Sequence, residues 1–196
     1  MQPSAPPPEP WHSFLTELDA QLGAPVELHC IGGFVLTVLY GLQRPTSDVD
    51  FLSAVPADAL VDLVNLAGEG SKLHKRHRVY LHQVGIVTLP EDYESRLVEI
   101  FQGMYRHLKL IVVDPYDLAL SKLEGRRPHD RDDIKQLALK VPLDADKLRQ
   151  RYEQEMRPYL ATQDREDRTL HFWIEMIKEV QQSAAASSPQ PPTISS

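Results

Sequence analysis

The acidic pair in Asp48-Val49-Asp50 is the arrangement in this sequence best suited to chemistry. In an extended strand, residues two apart project from the same face, which sets these carboxylates side by side, about 7 Å apart at the backbone. Val49 and Phe51 then point the other way, into packing. Two ionised carboxylates on one face repel each other unless a cation lies between them. Hard oxygen donors at that spacing suit Mg²⁺ or Mn²⁺. Two such ions, about 3.5 to 4 Å apart, can bridge a triphosphate and an attacking hydroxyl. A solvated Asp-x-Asp at a strand start has the same pattern, so the surrounding residues must decide.

Gly32-Gly33 follows Val26 to Ile31, which reads as a short buried strand, and precedes an apolar helix ending near Gly41. A glycine pair between strand and helix lets phosphate oxygens approach the N–H groups at the helix N-terminus, where no Cβ obstructs them. It also serves as a plain tight turn, and it is neither a Gly-x-Gly-x-x-Gly nor a Walker loop. Arg44 and Thr46 add a cation and a hydroxyl on the approach to the acidic strand, and both are also ordinary loop chemistry. Farther along, Leu118, Ala119, Lys122 and Leu123 form one helical stripe, which sets Lys122 on the buried side. A phosphate partner and a snorkelling stem each account for a lysine there. Asp130, Asp133, Ile134 and Leu137 recur at i, i+3, i+4 and i+7. Acids at a helix start favour its dipole, yet these two share their face with apolar residues.

Taken together, Gly32-Gly33 and then Gly41-Leu42-Gln43-Arg44-Pro45-Thr46-Ser47-Asp48-Val49-Asp50-Phe51 resemble the signature of small nucleotidyltransferase-fold proteins related to the AbiEii and MenT-type toxins. The resemblance continues through Asp114-Pro115-Tyr116-Asp117-Leu118-Ala119-Leu120-Ser121-Lys122-Leu123 and Arg126-Arg127-Pro128-His129-Asp130-Arg131-Asp132-Asp133-Ile134, and so covers Glu27 to Leu139. It implies nucleotidyl transfer from a nucleoside triphosphate (NTP), with Gly32, Gly33, Asp48 and Asp50 in the phosphate and metal roles. It further implies nucleotide contacts from Lys122 and from an acid of the last block, Asp130 or Asp133. The implied acceptor is an RNA (a tRNA end) or a protein side chain, and the implied setting is a toxin with an antitoxin protein as partner. Members that activate their own acceptor add a third carboxylate from a neighbouring strand. Glu99, in Leu97-Val98-Glu99-Ile100-Phe101, is the best candidate here, since Gln83 and Gly85 stand where an acid would be expected. A variant class with the fold but no turnover, serving as a nucleotide- or protein-binding module, is the alternative.

These residues need particular elements to hold them. Trp11, Phe14, Leu15, Leu18 and Leu22 predict a first amphipathic helix stopping near Gly23. Strands are predicted over Val26 to Ile31 and Asp48 to Ser53, with helices after Gly32-Gly33 and after Pro56-Ala57-Asp58, the latter closed by Gly68. Three β-rich runs follow: Val79 to Leu81 with Val84 to Leu89, Leu97 to Phe101, and Leu108 to Val113. Asp114-Pro115 predicts a helix start, an N-cap acid with proline at the first helical position, and a helix to about Glu124. Further helices are expected over Asp130 to Lys140, Asp144 to Arg157 and Asp164 to Gln181. Strands and helices first, then helices alone, predict an α/β (α+β) fold: a nucleotidyltransferase-like mixed sheet flanked by helices, with a C-terminal helical lobe. The expected divisions are a disordered leader over 1–10, a core over 11–113, a helical lobe over 114–182 that completes the site, and a disordered tail over 183–196.

Composition limits the function classes. A net charge of −7 excludes whole-molecule attraction to nucleic acid, so RNA contact needs a local patch such as His74-Lys75-Arg76-His77-Arg78, which also reads as a solvated helix end. One cysteine, Cys30, excludes an internal disulfide framework; it sits in an apolar run and reads as packing. The N-terminal residues carry neither Lys nor Arg, and the longest uncharged stretch, Leu28 to Gln43, falls short of the about 20 apolar residues of a membrane span. A cytoplasmic protein without a membrane partner is expected. No zinc-type His spacing and no Gly-x-Ser-x-Gly elbow is present.

Overall fold

The computed structural model describes residues 5–42, 46–125 and 127–187. Five strands form one mixed sheet: β1 (Val26–Cys30), β2 (Asp48–Val55), β3 (Tyr80–Gln83), β4 (Val98–Ile100) and β5 (Leu108–Val112), in the order β3-β2-β1-β5-β4. β1 runs parallel to β5 and antiparallel to β2, β2 is parallel to β3, and β4 is antiparallel to β5. The central strands bury alternate residues, Val26, Leu28 and Cys30 on β1 and Leu108, Leu110 and Val112 on β5. Helices α1 (Trp11–Gln21), α2 (Gly32–Tyr40), α3 (Ala59–Ala67) and α4 (Lys72–His77) are interleaved with the first strands. After β5 come helices only: α5 (Pro115–Leu120), α6 (Asp130–Lys140), α7 (Ala145–Arg151) and α8 (Gln163–Ser187). The fold is the expected mixed sheet flanked by helices, ending in helices. Among the described residues, no helix is long and apolar enough to cross a membrane.

Trp11, Phe14, Leu15 and Leu18, the stripe that predicts α1, are all buried. Of the leader expected over 1–10, the described part begins at Ala5, and Pro7 within it is buried. Residues 1–4 and the end of the tail, 188–196, lie outside the described residues.

Several elements differ from the sequence reading. Val84 to Leu89 is not a strand. Val84 N–H makes one last bond to Phe51 O, 3.0 Å, and beyond it this edge segment has no strand to pair with among the described residues, with Ile86 fully exposed. α5 ends at Leu120 instead of near Glu124, because the N–H groups of Lys122 and Leu123 bond back three residues and tighten the chain. α7 is capped by the Asp144 carboxylate, passes into a π-turn over Tyr152–Met156, and then into a short 3₁₀ turn where Pro158 bars further α-helix. α8 continues past Gln181 to Ser187.

One side chain joins the start of the chain to the sheet. Asp19, on α1, accepts the backbone N–H groups of Arg106, His107 and Leu108 at 3.0, 2.7 and 2.8 Å. Burial alone would raise its pKa, but the three N–H bonds outweigh it and hold the carboxyl below its ordinary value. A depressed carboxylate contributes stability above its unfolded pKa and loses it as pH falls through the folded one. Asp19→Ala is therefore expected to cost about 2 kcal/mol at neutral pH, since it strands three donors. Urea denaturation should show that gap narrowing below the carboxylate range; a gap independent of pH would contradict the charged-acceptor role.

Candidate active site

β2 and β3 build the centre of the site. Their parallel register pairs Asp48 with Tyr80 and Asp50 with His82, so Asp48, Asp50 and His82 meet at one sheet face. Each offers a ligand atom, and these atoms all lie within 4.8 Å of one another. Asp50 is only 4% exposed, and His82 Nδ1 stands 2.8 Å from its Oδ1. Burial raises the Asp50 carboxyl; the His82 contact opposes this, the Asp48 charge adds to it, and the net direction is up. An ionised Asp50 is thus a strained charge that a cation would relieve. The Thr46 hydroxyl donates to Asp48 and so orients that carboxylate.

Gly32 opens α2 directly against Asp50. Its φ is +76°, and a Cβ there would stand 2.5 Å from Asp50 Oδ2. Among the described residues no side chain caps this helix start, which leaves its first N–H groups without a side-chain acceptor there. Gly33 lies in the same first turn, where its carbonyl accepts the Thr37 hydroxyl. Gly32→Ala is expected to cost about 2 kcal/mol from the left-handed backbone alone, and to push the Asp50 carboxylate out of place. Paired melting curves and Mn²⁺ titrations would check this; wild-type behaviour in both would show that the close approach is not required.

The same cleft, about 240 Å³, is lined by Gly32, Asp50 and His82 on one side and by Lys122, Arg127 and Asp130 on the other, with the segment from Val84 to Thr88 along it. Lys122 is buried, and its Nζ donates to Asp130 Oδ1 and Asp133 Oδ2, each at 2.9 Å. Asp130 Oδ2 accepts the Arg127 backbone N–H, 3.0 Å. His129, Asp130 and Asp133 also converge, but the Lys122 ammonium already bridges the two acids. Asp133 borders a neighbouring hollow with Gly41, Leu42 and His129.

Of the residues singled out in the sequence, Gly32, Asp50, Lys122 and Asp130 share this cleft, and Asp48 joins Asp50. Glu99 does not. It lies on β4, the opposite edge of the sheet, three strand spacings from β2, or roughly 14 Å. There its charge acts on Lys109. Arg44 lies outside the described residues. His82 and Arg127 belong to the cleft and were not among the site residues read from the sequence: Arg127 lies in the block that carries the resemblance, and His82 gains its place only from the β2–β3 register. The basic cluster on α4 is partly committed elsewhere, since Arg76 and His77 both pair with Glu17 of α1. Cys30 is fully buried, and burial pushes its thiol pKa up, as a packing residue requires.

A protein-family model described as "Nucleotidyltransferase of unknown function (DUF6036)" matches residues 14–181, a span that contains every cleft residue named above. No curated protein and no solved structure matches the chain.

Proposed function

Since the chain belongs to the DUF6036 family of nucleotidyltransferases, we propose that it moves a nucleoside monophosphate from an NTP to a hydroxyl of RNA, such as a tRNA end, or of a protein. The observation that carries this reading is that Asp48 meets Asp50, and that Asp50 shares one cleft with Gly32 at the start of α2 and with Lys122. Their oxygen donors fit a hard divalent cation such as Mg²⁺ or Mn²⁺, and the raised, buried Asp50 is a group that a cation would stabilise in its charged form. When bound, the cation supplies charge neutralisation at the phosphates.

In this reading the triphosphate lies over Gly32 and Gly33, whose N–H groups face it at the helix start. The acceptor oxygen attacks the α-phosphorus and pyrophosphate leaves. Lys122 has three donors, two of them given to Asp130 and Asp133, and the third is directed at phosphate. Asp130 and Asp133 then act through Lys122 by holding its ammonium at the cleft wall, and Thr46 acts through Asp48. Arg44 adds a phosphate contact. The core over 11–113 supplies the metal site and the helical lobe over 114–182 completes the nucleotide site. The resemblance to AbiEii and MenT-type proteins favours the role of a cytoplasmic toxin held by an antitoxin protein.

A second reading has a specific observation behind it. His82, not a carboxylate, stands in register with Asp50, which suits a module that binds nucleotide without turning it over. Incubation with each α-labelled NTP, a divalent cation and total RNA or lysate separates the two. Label that reaches an acceptor with the wild type and not with Asp50→Asn supports transfer. Nucleotide binding without any labelled product supports the module, and the absence of both rejects the site.

A further inference from the structure

We propose that His82 is the third protein ligand of the cation held by Asp48 and Asp50, and that its imidazole makes the site prefer a first-row transition ion such as Mn²⁺ over Mg²⁺. This rests on the reading of Asp48 and Asp50 as a metal site. An octahedral ion with bonds of about 2.1 Å places neighbouring ligands roughly 3 Å apart and opposite ones roughly 4.2 Å apart. The separation of 2.8 Å between His82 Nδ1 and Asp50 Oδ1 matches such a neighbouring pair, and an Asp48 oxygen lies within 4.8 Å of both, so that a small side-chain adjustment brings it to an octahedral position.

Two features set this geometry apart from a chance surface contact. Asp50 and His82 are direct neighbours on hydrogen-bonded parallel strands, so the backbone ladder fixes the spacing of their side chains. Asp50 is buried to one side, while the His82 side chain is 48% exposed and open to an arriving ion and its water ligands. The donor chemistry then decides the ion. Mg²⁺ holds hard oxygen ligands and gives up water reluctantly, whereas imidazole nitrogen favours the transition ions. Among the described residues, the group that includes Asp48 and Asp50 has this nitrogen donor and no third carboxylate.

Mn²⁺ alone, added to the full chain, is the probe. Loss of the free-ion electron paramagnetic resonance signal gives affinity, competition with Mg²⁺ gives selectivity, and spin-echo modulation detects a coordinated nitrogen. The wild type is expected to show nitrogen coupling and to bind Mn²⁺ at least about tenfold more tightly than Mg²⁺. His82→Ala should abolish the coupling and weaken Mn²⁺ by at least about tenfold, since losing a direct ligand costs no less than losing an outer-shell partner, while Mg²⁺ affinity changes little. His82→Asp should bring the two ions close together in affinity. Melting curves confirm that both variants are folded, as a half-exposed edge position allows. A nitrogen-free Mn²⁺ complex, or an equal loss of both ions in His82→Ala, overturns the assignment of His82. If Asp50→Asn still abolishes binding in that case, the metal site itself stands. If the wild type binds neither ion, the metal site fails and this inference fails with it.

Discussion

Replacing Asp50 with asparagine is expected to lower nucleotidyl transfer about a thousandfold, an effect of about 4 kcal/mol on the barrier, while leaving the metal-free protein as stable as the wild type or more so. The two halves of this result have one cause. Asp50 is 4% exposed, sits beside Asp48, and has its carboxyl raised chiefly by burial. A carboxylate whose folded pKa lies above its unfolded value binds its proton more tightly in the folded state. Stability therefore falls as pH rises through that window, and the full cost of the buried charge is present only above the folded pKa. Asparagine removes the charge and the cost. Without metal, the gain of Asp50→Asn over the wild type should grow as pH rises through the folded pKa of Asp50 and should vanish below the carboxylate range.

Ligand reverses the order. A cation and NTP that bind only the folded state add RT ln(1 + [L]/Kd), about 2.7 kcal/mol at a hundredfold excess over Kd. The pair should raise the wild-type melting temperature more than either component alone, because the triphosphate supplies ligands that the protein lacks. Asp50→Asn should lose that synergy. Thermal shifts for both proteins with metal, nucleotide and the two together decide the matter. Equal shifts would mean that the acidic pair does not hold a cation.

The second large effect is expected outside the proposed metal site. Asp117 is wholly buried and receives Arg96 Nε and Nη2 at 2.8 and 3.1 Å and Arg151 Nη1 at 2.9 Å. Arg151 also reaches Asp114 Oδ1, 2.7 Å, and Arg96 reaches Glu155 Oε2, 2.7 Å. This network ties the turn before β4 to α5, α7 and the π-turn after α7. Burial raises the Asp117 carboxyl, and its two arginines pull against that rise. Asp117→Ala leaves the buried Arg151 and the partly buried Arg96 short of their shared carboxylate. A loss of about 3 to 5 kcal/mol is expected, as for a broken buried ion pair. Well below the lowered melting temperature, Mn²⁺ binding should persist, since Asp117 does not line the cleft. A wild-type denaturation midpoint would show that this network adds nothing; lost metal binding in a folded variant would give Asp117 a role in the site.

The parts of the fold that were legible are those in which one element announces itself locally. The Trp11, Phe14, Leu15 and Leu18 stripe, the alternation along β1, and the Asp114-Pro115 helix start each depend on neighbours within a turn or a strand. Val84 to Leu89 misled because a β-rich run forms a strand only where another strand is present to pair with, and β3 is an edge. Glu99 misled for a related reason: it is on a strand, but strand order is a property of the whole sheet.

What the sequence by itself determined is the common face of Asp48 and Asp50, which follows from the two-residue period of a strand, and the spacing that buries Lys122, in the turn after α5, and Asp130, on α6. Those periods are local and need no knowledge of the rest of the chain. The tertiary structure alone decided that His82 stands beside Asp50, that Lys122 binds Asp130 and Asp133, and that both groups border one cleft. Each of these is a contact between separate elements, fixed by sheet register and helix packing. A parallel register such as that of β2 and β3 is set by how the intervening helices α3 and α4 fold back on the sheet, and no short span of residues encodes it.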